Sequence, residues 1–121
     1  MAKTVHDDVL DAALNYIKNN CTRMVACSSQ PTTYTEANAT YALADVTMAS
    51  GDFTLADDTS GRKLTVAAKS GITVDTAGTA THNALLDVSN SKLLYVTTTS
   101  STAISGTVDF GSWKINLQDP S

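Results

Sequence analysis

Two cysteines, two histidines and several clustered aspartates are the side chains here whose types could do covalent or metal chemistry. Cys21 and Cys27 do not stand in the C-x2-C spacing of a metal site, and no pair of histidines accompanies them. On one extended segment they would share a face but lie roughly 20 Å apart, at about 3.3 Å per residue. A disulfide needs Cα atoms within about 7 Å, so the two are not expected to bridge each other. Three readings stay open: packed or free thiols, an intersubunit disulfide through Cys21 or Cys27, and, least favoured, a catalytic thiol.

His6 and His82 are isolated, and the G-x-S-x-G elbow of a serine hydrolase is absent. Asp7, Asp8 and Asp11 are close enough for paired-carboxylate chemistry. Their position at the start of a helix reads instead as a solvated, favourably charged end. Asp57 and Asp58 precede Gly61 without the twelve-residue pattern and closing Glu of a calcium loop. No glycine-rich phosphate loop is present. Trp113 and Tyr95 read as core or interface anchors. The residues therefore assign no catalytic group, no metal and no cofactor.

The elements that would position these groups centre on Thr79–Thr99. Two apolar, β-rich runs flank Ser89-Asn90-Ser91, where Asn suits a left-handed turn position. A hairpin covered on both faces and lying mid-sheet is expected. Ahead of it, Thr4–Asn19 reads as the one long helix, with Thr4 and Asp7 as a capping pair. Steps of 100° place Val5, Val9, Leu10, Ala12, Ala13, Tyr16 and Ile17 on one broad apolar side, with Leu14 at its border. Asp8, Asp11, Asn15 and Lys18 fall opposite.

Thr22–Ser28 is a short strand candidate, Ser29–Tyr34 a loop around Pro31, and Thr35–Thr40 one helical turn capped by Thr35. Tyr41–Met48, Phe53–Leu55, Arg62–Ala68, Ile72–Val74 and Trp113–Gln118 read as strands. Turns are expected at 50–52, 57–61, Ser70-Gly71 and Ala77-Gly78, and a polar link at Ser100–Ser105. Val108 and Phe110 share a face, and Asp119–Ser121 forms a tail. Short strands with turn signals every eight to twelve residues predict a mainly β fold, an antiparallel sandwich or barrel with one N-terminal amphipathic helix. Leu64, Val66, Leu86, Leu94, Val96 and Ile115 should lie inside it. Residues 1–121 are expected to form a single β-rich domain, with 1–20 packing on it or on a partner subunit.

Charged residues make up 17% of the 121 positions, against about 25% in typical soluble domains. Threonine, serine and alanine take their place, which suits extended strands and protein contacts. A net charge of −4, with eight scattered basic residues, argues against a nucleic-acid partner. No run approaches the eighteen or so apolar residues of a membrane span, and Asp7 and Asp8 interrupt any secretory leader. A cytoplasmic site of synthesis is the expectation.

Four stretches carry a resemblance: TVHDDVLDAALNYIKNN, SQPTTYTEA, SGRKLTV, and DTAGTATHNALLD followed by LLYVTT. Together they resemble small structural proteins encoded near the capsid genes of tailed bacteriophages, especially those of alphaproteobacteria. The resemblance covers nearly the whole chain and carries no catalytic motif. It implies a virion component assembled in the host cytoplasm, a capsid decoration or cement protein whose partners are the major capsid protein and further copies of itself. The alternative is a neck- or fibre-associated β-sandwich that binds carbohydrate or protein.

Overall fold

The computed structural model describes residues 6–117. In chain order the elements are α1 (Asp7–Asn20), β1 (Arg23–Cys27), a π-helical turn (Glu36–Thr40), β2 (Ala42–Thr47) and a 3-10 turn (Ser50–Asp52). There follow β3 (Phe53–Asp57), β4 (Arg62–Val66), β5 (Lys69–Thr73), β6 (Gly78–Asp87), β7 (Lys92–Ile104), β8 (Thr107–Phe110) and β9 (Trp113–Leu117). The chain is mainly antiparallel β with one N-terminal helix, as its strand and turn spacing predicts. Its sheets are open, in orders β2-β1-β6-β7, β3-β4-β9 and β5-β8, which fits a sandwich and not a closed barrel.

The contacts divide the chain into two compact units. The first draws on the described parts of 1–20, 49–68 and 111–121, the second on 21–48 and 69–110. In the first unit α1 packs on β3, β4 and the 3-10 turn. Leu14, Phe53, Leu64, Val66 and Ile115 are buried there. Leu64 sits in the central strand, across from Leu55 on one side and Ile115 on the other.

The helix packs through one border of the expected apolar side, where Leu10 and Ile17 belong to that side and Leu14 marks its edge. Leu14 is 1% exposed, whereas Val9 is 61% and Tyr16 46% exposed. The packed stripe is Leu10, Leu14 and Ile17, one step around from the stripe of Val9, Ala13 and Tyr16. Two polar residues assigned to the solvent side decide the rotation. Asp11 accepts from Arg62 Nε at 2.8 Å, and Lys18 Nζ donates to the carbonyls of Ser50 and Phe53, both at 2.8 Å. A 100° projection counts apolar side chains and cannot weigh such polar anchors. Thr4 and Val5 lie outside the described residues. Within them His6 starts the helix: its Nδ1 accepts from Asp8 N at 3.0 Å and its carbonyl from Val9 N at 2.9 Å.

In the second unit the doubly covered centre is β1 with β6, and β7 is an edge. Met24 to Cys27 and Ala84 to Asp87 are all buried, while Leu93 to Val96 are half-buried. Leu64, Val66, Leu86 and Ile115 are thus inside as expected, and Leu94 and Val96 only partly so. The 79–99 hairpin exists, but among the described strands its second strand has a partner on one side only. Its turn departs in detail: Ser91 holds the left-handed φ of 54°. Asn90 instead donates its Nδ2 to Asp87 Oδ2 at 2.8 Å.

Three further expectations give way. Ser100–Ser105 is no link, because β7 runs on to Ile104 and pairs Thr102 with Ala80 and Ala103 with Thr79. Backbone pairing needs no apolar side chain, so a Thr/Ser run reads as a loop while serving as strand. Ser70-Gly71 is no turn but an irregularity within β5, where Gly71 takes φ 67° and its N–H reaches Asp109 Oδ1 at 2.8 Å. Thr35 stands at the N-cap of the helical turn but makes no side-chain cap bond; Thr33 Oγ1 accepts from Glu36 N at 3.1 Å in its place. Gln118 and the 119–121 tail lie outside the described residues.

Candidate functional site

Strand alternation on β9 buries Ile115 and turns Lys114 and Asn116 to its other side. The β3–β4 turn, closed by Asp58 N donating to Gly61 O at 3.1 Å, brings Asp58 to meet them. Gly61 holds φ 74° there, a conformation costly for a side-chain-bearing residue. Asp58 Oδ2 accepts from Lys114 Nζ at 2.7 Å and from Asn116 Nδ2 at 3.0 Å, and Oδ1 from Thr59 N at 2.8 Å. Asn116 Nδ2 also approaches the carbonyls of Ser60 and Arg62, at 3.1 and 3.3 Å. With Thr59 and Ser60 these groups line an open pocket of about 340 Å³ within the first unit.

The Lys114 hydrogen bond, then the Thr59 N–H, hold the Asp58 carboxyl below its usual range. An ionised carboxylate ringed by donors is a poor proton donor near neutral pH, so the pocket reads as a hydrogen-bonding cradle. Its neighbour Asp57 is drawn elsewhere, accepting from Arg62 Nη1 at 2.8 Å. Arg62 also grips Asp11 through Nε and Nη2, at 2.8 and 3.4 Å. These carboxylates, grouped by sequence as 7-8-11 and 57-58, are parted by the fold into a helix anchor and a turn.

The remaining candidates occupy structural positions. Cys21 and Cys27 are 2% and 0% exposed and are not bridged to each other. Burial pushes the Cys27 thiol up to about 11, so it stays protonated and a weak nucleophile. Its Sγ lies 3.8 Å from the Ala37 carbonyl. Cys27 lies across from His82 on β6. The His82 Nδ1 is occupied at 2.8 Å by the hydroxyl of Thr81. The placement of both thiols weighs against their bonding a second copy without local opening. Among the described residues no group of three or more His, Cys, Asp or Glu is placed to hold a metal.

Lys114 and Asn116 went unremarked as a site in the sequence. Their i, i+2 spacing on a strand was a signal, but only the β4–β9 pairing brings the Asp58 turn to them. No protein-family model, no curated protein and no solved structure matches the chain.

Proposed function

We propose that this protein is a non-enzymatic structural component of a phage virion, a capsid decoration protein that stabilises the head through subunit contacts. What carries the reading is the resemblance of four stretches of the chain to virion structural proteins. Those stretches include α1, the approach to the π-helical turn, β4 and the β6–β7 hairpin. These are framework elements, as expected where a family shares a shape and not a reaction. The low charge and the Thr/Ser-rich surface support the same reading. Many weak repeated contacts suffice in a lattice, since multivalency multiplies them.

Mass spectrometry of purified virions tests it. Copies on the order of hundreds per particle are expected of a lattice-bound protein, and absence from the particle would overturn the reading. A handful of copies would favour the neck or fibre. The Asp58–Lys114–Asn116 pocket supports that second reading, because carboxylate, amide and ammonium groups are the partners that sugar hydroxyls use.

A further inference from the structure

The pocket beside Asp58 lies on the side of the β3-β4-β9 sheet turned away from the helix. Strand alternation gives β4 two unlike sides. Arg62, Leu64 and Val66 share the side that packs on α1, where Arg62 holds Asp11. Lys63 and Thr65 take the other side, across from Asn116 and Lys114 of β9. The β3–β4 turn adds Asp58, Thr59 and Ser60, and the pocket they form with Lys114 and Asn116 is about 340 Å³ and open.

Its hydrogen-bonding capacity can be counted. Asp58 accepts from Lys114 and Asn116 on Oδ2 and from Thr59 N on Oδ1. A carboxylate has roughly four lone-pair sites, so one remains on Oδ1. Asn116 shares its Nδ2 hydrogens among Asp58 Oδ2, Ser60 O and Arg62 O. That uses up the amide as a donor and leaves its Oδ1 to accept. Lys114 Nζ donates to Asp58, and its side chain is 52% exposed, so further ammonium hydrogens are available. The Thr59 hydroxyl can both donate and accept.

Charge then narrows the ligand. A cation would meet the Lys114 ammonium, with Lys63 acting on the same carboxylate. An anion would meet the Asp58 carboxylate. Either must part the 2.7 Å pair of Asp58 and Lys114, leaving one half of it without its partner. A neutral hydroxyl avoids that conflict. It accepts from the ammonium and donates to a carboxylate or amide oxygen without separating them.

We infer that this pocket binds a neutral sugar unit of a glycan by one hydroxylated edge, with the neighbouring units left in solvent. Adjacent hydroxyls match the interleaved donors and acceptors, and the open pocket lets a chain continue past it. No aromatic ring is among the lining residues. Stacking therefore adds nothing, and an affinity on the order of 1 mM is expected. Repetition over a particle raises such weak binding through multivalency.

The ligand class rests on the binding-module reading given second above, and it is tested apart from it on the isolated protein. Copy number in the virion can favour the head while sugar binding stands, or the reverse. NMR titrations of the isotope-labelled full chain use methyl α-D-mannoside, methyl α-D-glucoside and methyl β-D-galactoside as probes. At least one should shift the amides of residues 58–61 and 114–116 saturably and leave those of β1 and β6 in place. The charged sugars D-glucuronate and D-glucosamine should bind at least about fivefold more weakly. Lys114→Met and, separately, Thr59→Val should each weaken binding about fivefold or more. Thr59 is exposed in the turn, so its variant covers the case of a misfolded Lys114 variant. The linear trisaccharide of whichever sugar binds should bind at least as tightly as the single unit. No shift with any probe at about 50 mM, equal binding of the charged sugars, unaltered binding by both variants, or exclusion of the trisaccharide would each overturn the inference.

Discussion

Replacing Leu14 and Val9 by alanine, one at a time, separates two helix faces that the sequence ranks in the opposite order. Leu14→Ala removes three carbons from a side chain 1% exposed. At about 0.8 kcal/mol per buried methylene that is roughly 2.4 kcal/mol. The residual cavity adds on the order of 1 kcal/mol, for a total of about 3–4, inside the usual Leu→Ala range. Val9→Ala removes two carbons from a side chain 61% exposed. Scaling by the buried part leaves about 0.6 kcal/mol. Alanine returns roughly 0.5 kcal/mol of that through its better helix propensity. The expected net change is near zero. Urea unfolding followed by circular dichroism reads both values, and the Leu14 variant should melt roughly 10–15 °C lower. If Val9→Ala proves the more damaging change, or Leu14→Ala costs less than about 1 kcal/mol, the assigned packing face is wrong.

Cys21 and Cys27 should be unreactive to a thiol reagent in the folded protein and both titrate in denaturant. Fast labelling of either in the native state would reopen the intersubunit disulfide. Asp58 has a depressed folded pKa, so its contribution is complete above the ordinary aspartate value near 3.9. It fades as pH falls from there through the lowered folded value. Lys114→Met should flatten that acid limb of stability against pH, and an unchanged limb would dismiss the Lys114 contact. Gly106 holds φ 69° with open space around the Cβ position, so Gly106→Ala should cost about 1–2 kcal/mol from backbone strain alone. A neutral result in the same unfolding assay would contradict the turn geometry between β7 and β8.

Period and punctuation made most strands legible, because apolar alternation and Gly/Asp turns are local signals. Leu64, Val66 and Ile115 could be placed inside from the two-residue repeat alone. What stayed hidden depends on partners distant in sequence. Asp11 looked solvated until Arg62, 51 residues away, claimed it. The exposed run at 98–103 looked like a loop because its strand character comes from the pairing of Thr98, Thr102 and Ala103 with His82, Ala80 and Thr79, not from its side chains. The Asp58 pocket was half legible: the turn could be read, but not the strand that faces it. Cys27 was recognised as a packing candidate, yet only the fold shows it enclosed beside the π-helical turn.

The interleaving of the two units along the chain bears on how the protein is made. Leu64 of β4 pairs with Ile115 of β9, so a ribosome must add roughly 50 further residues, several seconds at about 5–20 per second, before that strand is completed. β1 waits longer still, since Val25 pairs with Ala84. Neither unit can finish before residues beyond 100 are synthesised, since the second needs β8 and the first needs β9. Both therefore pass through a stage in which apolar strands such as Met24–Cys27 stand without their inner neighbour. A nascent chain in that stage is a chaperone substrate, and a stop codon anywhere before Trp113 leaves the helix-bearing unit without β9.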